Sequence, residues 1–171
     1  MQRYIAFLRA INVGSHIVKM ERLRALFEEM GFENVATFIA SGQVIFDAHA
    51  VTPEKLEAKI EKFLQAALGY DVATFIRTPA QLRKVAERAR DEDCVLYVCF
   101  TRAKPGKSAL DKLATYNNLV DTFEVHGSEV YWYCRKQLSE TKFTGALLEK
   151  ILGMPATARN VNTVHRLVAK Y

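Results

Sequence analysis

What the 171-residue chain lacks narrows its class first. No apolar run approaches the roughly 18 residues that cross a bilayer, so no membrane partner is expected. The opening MQRYIAFLRAIN is too short and too interrupted for a secretory signal and reads better as a first strand. Only three cysteines are present, Cys94, Cys99 and Cys134, each in a strand-like apolar run and none in a CxxC spacing. Buried, reduced thiols follow, and with them the expectation of a cytoplasmic protein. His16, His49, His126 and His165 are scattered without ligand spacing, so no metal and no cofactor is expected. There is no G-x-S-x-G elbow. KPGKS (104–108) ends like a phosphate loop, but the full pattern needs glycine at 101, where Thr101 stands.

What is present is ordinary in amount and uneven in placement. Half the residues are apolar and 25% are charged, enough for a real core without staples. The net charge is +5, and residues 135–171 carry all of it, with seven basic residues against Glu140 and Glu149. A local basic field fits an anionic partner, and it fits a solubilising surface equally well.

Apolar spacing sets the elements. YIAFL (4–8) is apolar on both faces, which implies a strand covered on both sides. Residues 19–30 read as a helix stopped by Gly31. VATFIA and QVIFD read as strands joined tightly at Ser41-Gly42. Thr52-Pro53 opens a helix ended by Gly69, and 70–77 is a fourth strand. Thr78-Pro79-Ala80-Gln81 is a capping box that starts a connecting helix. The order then repeats. A strand at 94–100 precedes a helix capped by Ser108, strands meet across Gly127-Ser128, and a helix capped by Ser139 carries Phe143 to Leu152. PATAR forms a last strand before a helix from about Asn162 to Lys170. The expected fold is α+β, two ferredoxin-like βαββαβ plaits in tandem. The expected boundaries are 1–78, a connecting helix and linker over 79–93, and 94–171 with a C-terminal helix. The apolar second face of the first strand implies that the second unit, or the extra helices, packs on it and leaves a cleft between the halves, a favoured place for a ligand.

Four polar groups are candidates for chemistry, each with a plainer reading beside it. After the first strand come Arg9, Asn12, Gly14, Ser15 and His16. Arg9 offers a fork for a carboxylate or phosphate and Gly14 allows close backbone approach. The same residues also suit a turn with Asn12 bonded to backbone. Ser41 and Gln43 flank a hairpin glycine and suit either hydrogen bonding to a ligand or the turn itself. Arg159, Asn160, Asn162 and Thr163 sit at the start of the last helix, where free N–H groups attract anions. Asn162 could equally be only a cap. Lys142 lies at another helix start, against the helix dipole. Tyr131 and Tyr133 share a strand face, as base-stacking residues of RNA-binding plaits do, but the K/R-G-F/Y-G/A-F-V-x-F/Y signature is missing, which favours core or interface aromatics.

YIAFLRAINVG, FIASGQVIF and LLEKILGMPATARNVNTVHRL together resemble the bacterial family known as domain of unknown function 1697. The resemblance covers essentially the whole chain, and it implies a pair of α/β plaits. Against the patterns L-R-G-I-N-V-G-G, Y-I-Q-S-G-N-V-V-F, S-K-L and T-x-R-N-W-N-T, the matching positions are Arg9, Asn12, Gly14, Ser41, Gly42, Lys142, Thr157, Arg159, Asn160, Asn162 and Thr163. Ala10, Ser15, Ala40, Gln43, Thr141, Phe143 and Val161 depart from it. The resemblance implies no reaction.

Three readings remain. The first is a small anionic or nucleotide-like ligand in the cleft, bound by Arg9, Lys142 and Arg159 and oriented by Asn12, Ser41, Gln43, Asn160 and Asn162. The second is a single-stranded nucleic-acid-binding module. The third is a structural set of polar residues with no ligand. No motif holds an evident nucleophile or carboxylate base, which leaves enzyme activity open. Oligomeric state is not legible.

Overall fold

The computed structural model describes residues 1–39, 42–89 and 93–171. Ser41, part of one candidate group, and Ala40 lie outside the described residues. Among those described, the chain is a mixed α+β protein with two four-stranded antiparallel sheets and six helices. It divides into two compact units, Met1–Gln81 and Leu82–Tyr171. No helix among the described residues is long and apolar enough to cross a membrane.

The first unit runs β1 (Gln2–Leu8), α1 (Met20–Glu29), β2 (Glu33–Phe38), β3 (Gln43–Ala48), α2 (Pro53–Leu68) and β4 (Thr74–Arg77). Its sheet order is β2-β3-β1-β4. Leu23, Leu26 and Phe27 of α1 and Leu56, Ile60 and Leu64 of α2 bury their stripes on Tyr4, Ala6, Leu8, Val44 and Phe46. The alternate residues Ile5, Phe7, Ile45 and Phe75 are buried as well, as an unalternating apolar strand implies.

The helix α3 (Pro79–Arg88) begins in the first unit and continues into the second. Its capping box forms as the sequence implies: Thr78 N–H donates to Gln81 Oε1 at 2.9 Å, and Gln81 N–H to Thr78 Oγ1 at 3.2 Å. The second unit then runs β5 (Val95–Thr101), α4 (Lys107–Ala114), β6 (Asp121–His126), β7 (Glu129–Cys134), α5 (Gly145–Leu152), β8 (Ala156–Asn160) and α6 (Val161–Lys170), in sheet order β6-β7-β5-β8. Its core gathers Cys99, Val130, Trp132 and Cys134 under Leu113, Phe143, Leu148 and Ile151.

Several expected ends move. Phe38 pairs with Gln43, so four residues rather than two join β2 to β3. The strand expected at 70 starts at Thr74, because Tyr70 packs on the core and the segment before Thr74 turns the chain after the left-handed Gly69. Gly106, not Ser108, stands at the start of α4, where Lys107 Nζ instead pairs with Asp111 at 3.0 Å. Thr144, not Ser139, caps α5 by accepting from Leu147 N–H at 3.1 Å. Phe143 therefore precedes the helix and packs as an aromatic wedge against Phe123 and Trp132, ring centroids 4.4 and 5.2 Å away. Asn160, not Asn162, caps α6.

Both units protect a sheet edge in the same way. β4 and β8 are edge strands with donors that no neighbouring strand takes up on the outer side. In the first unit Glu57 and Glu61 of α2 accept from Ile76 and Thr74 N–H, each at 2.9 Å. In the second, Glu149 of α5 accepts from Ala156 N–H at 3.1 Å. Glu57 is 3% exposed. Removing its carboxylate strands a buried donor, so Glu57→Ala should cost about 1–3 kcal/mol and Glu57→Gln, which keeps an acceptor, markedly less. Denaturant titration checks the ordering of the two variants.

Candidate functional site

In the first unit, the motif loop between β1 and α1 is tied at three points. Leu8 N–H donates to Gly42 O at 2.8 Å, Arg9 N–H to Ala73 O at 2.9 Å, and Val18 N–H to Asn12 Oδ1 at 2.7 Å. The side chain of Asn12 thus closes the loop, as the turn reading holds. Gly14 takes φ +65° with open space around the position a Cβ would fill, so the loop surface there is accessible. Arg9 is half-buried, and Gln43 is fully buried in the sheet. His16 at the loop tip lies flat on Tyr70, ring centroids 3.7 Å apart and planes at 7°.

In the second unit, Arg159 occupies the end of β8 and Asn160 the start of α6. Asn160 Oδ1 accepts from Asn162 N–H at 2.9 Å. The Arg159 guanidinium donates from Nη1 to Thr157 Oγ1 at 2.6 Å and to Ala158 O at 2.8 Å. Burial lowers its pKa to about 10, against a smaller opposing influence from Cys99. Burial in turn pushes the Cys99 thiol up to about 12, which suits an inert core cysteine. Thr163 is half-buried, and Asn162 and Lys142 are exposed. Lys142 lies in the segment before α5, not in its first turn. The structure thus gathers Arg159, Asn160, Asn162 and Thr163 at one junction, and Arg9, Asn12 and Gly14 in one loop.

Residue correspondence between the units shows what the sequence reading missed. Phe7 pairs with Gln43 and Phe75; Phe100 pairs with Glu129 and Thr157. Thr101 N–H donates to Ser128 O at 2.9 Å, the counterpart of Leu8 to Gly42. On this register Arg9-Ala10 corresponds to Arg102-Ala103, and Arg159 to Arg77. Arg77 also ends its strand, precedes a helix cap, and donates Nη1 to the preceding carbonyl, Ile76 O, at 2.8 Å. The signal was in the sequence: FIRT and TARN each place arginine before a polar cap, and LRA and TRA each follow a first strand.

The aromatic argument for nucleic acid does not hold. Tyr131 and Tyr133 are fully buried, and the Tyr131 hydroxyl donates to Val85 O of α3 at 3.2 Å. Neither ring is offered to a base. Among the described residues no group of three or more His, Cys, Asp and Glu could hold a metal. A groove of about 400 Å³ lies along α1 beside β2, lined by Met20, Glu21, Arg24, Glu28 and Thr37, and holds no motif residue.

A family model, described as protein of unknown function (DUF1697), matches residues 1–131. The chain belongs to that family. The DUF1697 match takes in the Arg9 loop and the Gln43 hairpin, whereas Lys142 and the Arg159 junction lie beyond it. Among solved structures the chain is similar to the conserved bacterial protein SP0830 from Streptococcus pneumoniae, with a TM-score of 0.78 and 21% identity over 99% of this chain and 97% of that one. At that identity the likeness carries the fold alone. The comparison with curated proteins gives no match.

Proposed function

We propose that this chain binds a small anionic, nucleotide-like ligand, and that each of its units is a ferredoxin-like plait. The strand orders β2-β3-β1-β4 and β6-β7-β5-β8, each with two helices buried on one face, support the second part. The observation that carries the first is the desolvation of Arg159 at the β8–α6 junction. Arg159 is half-buried, its guanidinium is desolvated enough to lower its pKa to about 10, and it donates to the neutral Thr157 Oγ1 and Ala158 O. An anion arriving there would favour the charged form that burial disfavours. The first turn of α6 adds a positive end of the helix dipole.

A structural reading has its own support, since Asn12, Asn160 and Thr157 all make internal hydrogen bonds. A ligand-dependent melt separates the two. Inorganic phosphate, pyrophosphate and nucleoside monophosphates should raise the melting temperature of the wild type with concentration, by mass action. Arg159→Met should abolish the shift. Arg159→Met that only lowers the melting temperature, in a protein no anion stabilises, leaves the structural reading standing and ends this one.

A further inference from the structure

The first unit holds an aromatic pair that neither the anion reading nor the core accounts for. His16 is exposed, and its ring lies parallel to Tyr70 at 3.7 Å and 7°. Face-to-face stacking is also how aromatic side chains hold nucleobases. Tyr70 packs against the first core, yet its hydroxyl is buried and has no hydrogen-bond partner among the described residues. Burial raises its pKa accordingly. A hydroxyl is costly to keep there unless some state of the protein supplies a partner; phenylalanine would pack as well without the cost.

The loop allows such a state without unfolding. Asn12 Oδ1 to Val18 N–H and Arg9 N–H to Ala73 O hold its two sides, and His16 sits between them at the tip. The imidazole can therefore leave the Tyr70 ring by side-chain rotation alone, a fast motion for an exposed residue. The backbone bond to Ala73 also keeps the loop beside the segment that carries Tyr70.

We propose that the exposed-side face of Tyr70 is a stacking platform for a planar heteroaromatic ring of the nucleobase kind, and that His16 occupies it when no ligand is bound. The bound ring displaces the imidazole, and the ligand supplies the Tyr70 hydroxyl with its partner. This uses none of the residues at the Arg159 junction. Adenosine, which is uncharged, tests it without any contribution from an anion site.

The experiment is a titration of adenosine into the full chain, followed by NMR of the His16 and Tyr70 ring protons, with melting temperature as the folding control. The wild type should bind weakly, with both rings shifting together. His16→Ala should bind roughly threefold to tenfold tighter, since one competing aromatic pair is gone. Tyr70→Phe, which keeps the ring, should bind severalfold more weakly, and Tyr70→Leu should lose binding. Adenosine that shifts neither ring in wild type or His16→Ala overturns the proposal, as does a His16→Ala variant that binds no more tightly than wild type. Pyrophosphate run in parallel reports on the Arg159 junction separately.

Discussion

Gly42→Ala is expected to destabilise the first unit by about 2–4 kcal/mol, enough to lower its melting temperature by roughly 10 °C or more. Two costs add. Gly42 has φ +80°, a left-handed conformation that costs an L-residue about 1–2 kcal/mol. An added Cβ would also stand 2.6 Å from Ile11 Cγ2 and 3.2 Å from Leu8 O. Ile11 is 2% exposed and β-branched, so its methyl has nowhere to go. The backbone has little room either, because Gly42 O accepts from Leu8 N–H at 2.8 Å. Gly14 provides the comparison: its φ is +65° but nothing lies within 4 Å, so Gly14→Ala should cost only the backbone part. The pair of variants, compared by thermal melts, separates strain from crowding. Ile11→Ala, which removes Cγ2, should partly offset Gly42→Ala in a double-mutant cycle. Equal melting temperatures for the two glycine variants would refute the close approach of the loops.

This contact changes what the first two motifs mean. The glycine of FIASGQVIF stands where it does because Gly42 lies against Ile11 and Leu8 of YIAFLRAINVG. Sequence reading saw two polar stretches; it could not see that one seats the other, because the contact joins Gly42 to Ile11 and Leu8, more than 30 positions earlier. Much else was legible for local reasons. Unalternating apolar runs marked the buried strands, helical stripes marked the core faces, and Thr78 with Gln81 formed the box that their spacing implies. Cap assignments failed where two polar residues competed for the same start. Thr144 and Asn160 hold those starts instead of Ser139 and Asn162, each accepting from a backbone N–H of its own first turn. The tyrosines of EVYWYC are core residues, the plainer of the two readings their strand allows. Alternation shows which residues share a face, but only tertiary packing decides whether that face meets solvent, and Tyr131 meets α3.

The candidate site was legible in type more than in role. Arginine and asparagine do mark places where the chain bends sharply, the loop after β1 and the direct junction of β8 with α6. Yet Asn12 and Asn160 are occupied with backbone donors, so their presence alone argues for shape. Arg159 stands apart, because burial opposes the charge that makes it useful to an anion. Its counterpart Arg77 shows that the position belongs to the repeated unit and not to one end of the chain.

Asp121→Ala should be the most damaging single change in the second unit, at about 2–4 kcal/mol. Asp121 is 3% exposed. Its carboxylate accepts from Trp132 Nε1 at 2.8 Å and from Thr141 Oγ1 at 2.5 Å. Thr141 Oγ1 in turn accepts from Phe143 N–H at 3.1 Å, and Phe143 is the wedge beneath α5. One carboxylate therefore joins the β6–β7 sheet to the segment that carries Lys142. Truncation leaves the indole donor buried without a partner and releases that segment. Asp121→Asn keeps an acceptor for Trp132 and should cost far less than alanine. Trp132 is the chain's only tryptophan, so its emission reports the bond directly. Asp121→Ala should shift that emission and lower the melting temperature of the second unit by roughly 10 °C or more, leaving the first unit unchanged. An unshifted Trp132 spectrum in a variant that melts like the wild type would show that the carboxylate does not hold the loop. A shifted spectrum with Thr141→Ala intermediate between Asp121→Asn and Asp121→Ala would trace the bond from the sheet to the Lys142 segment.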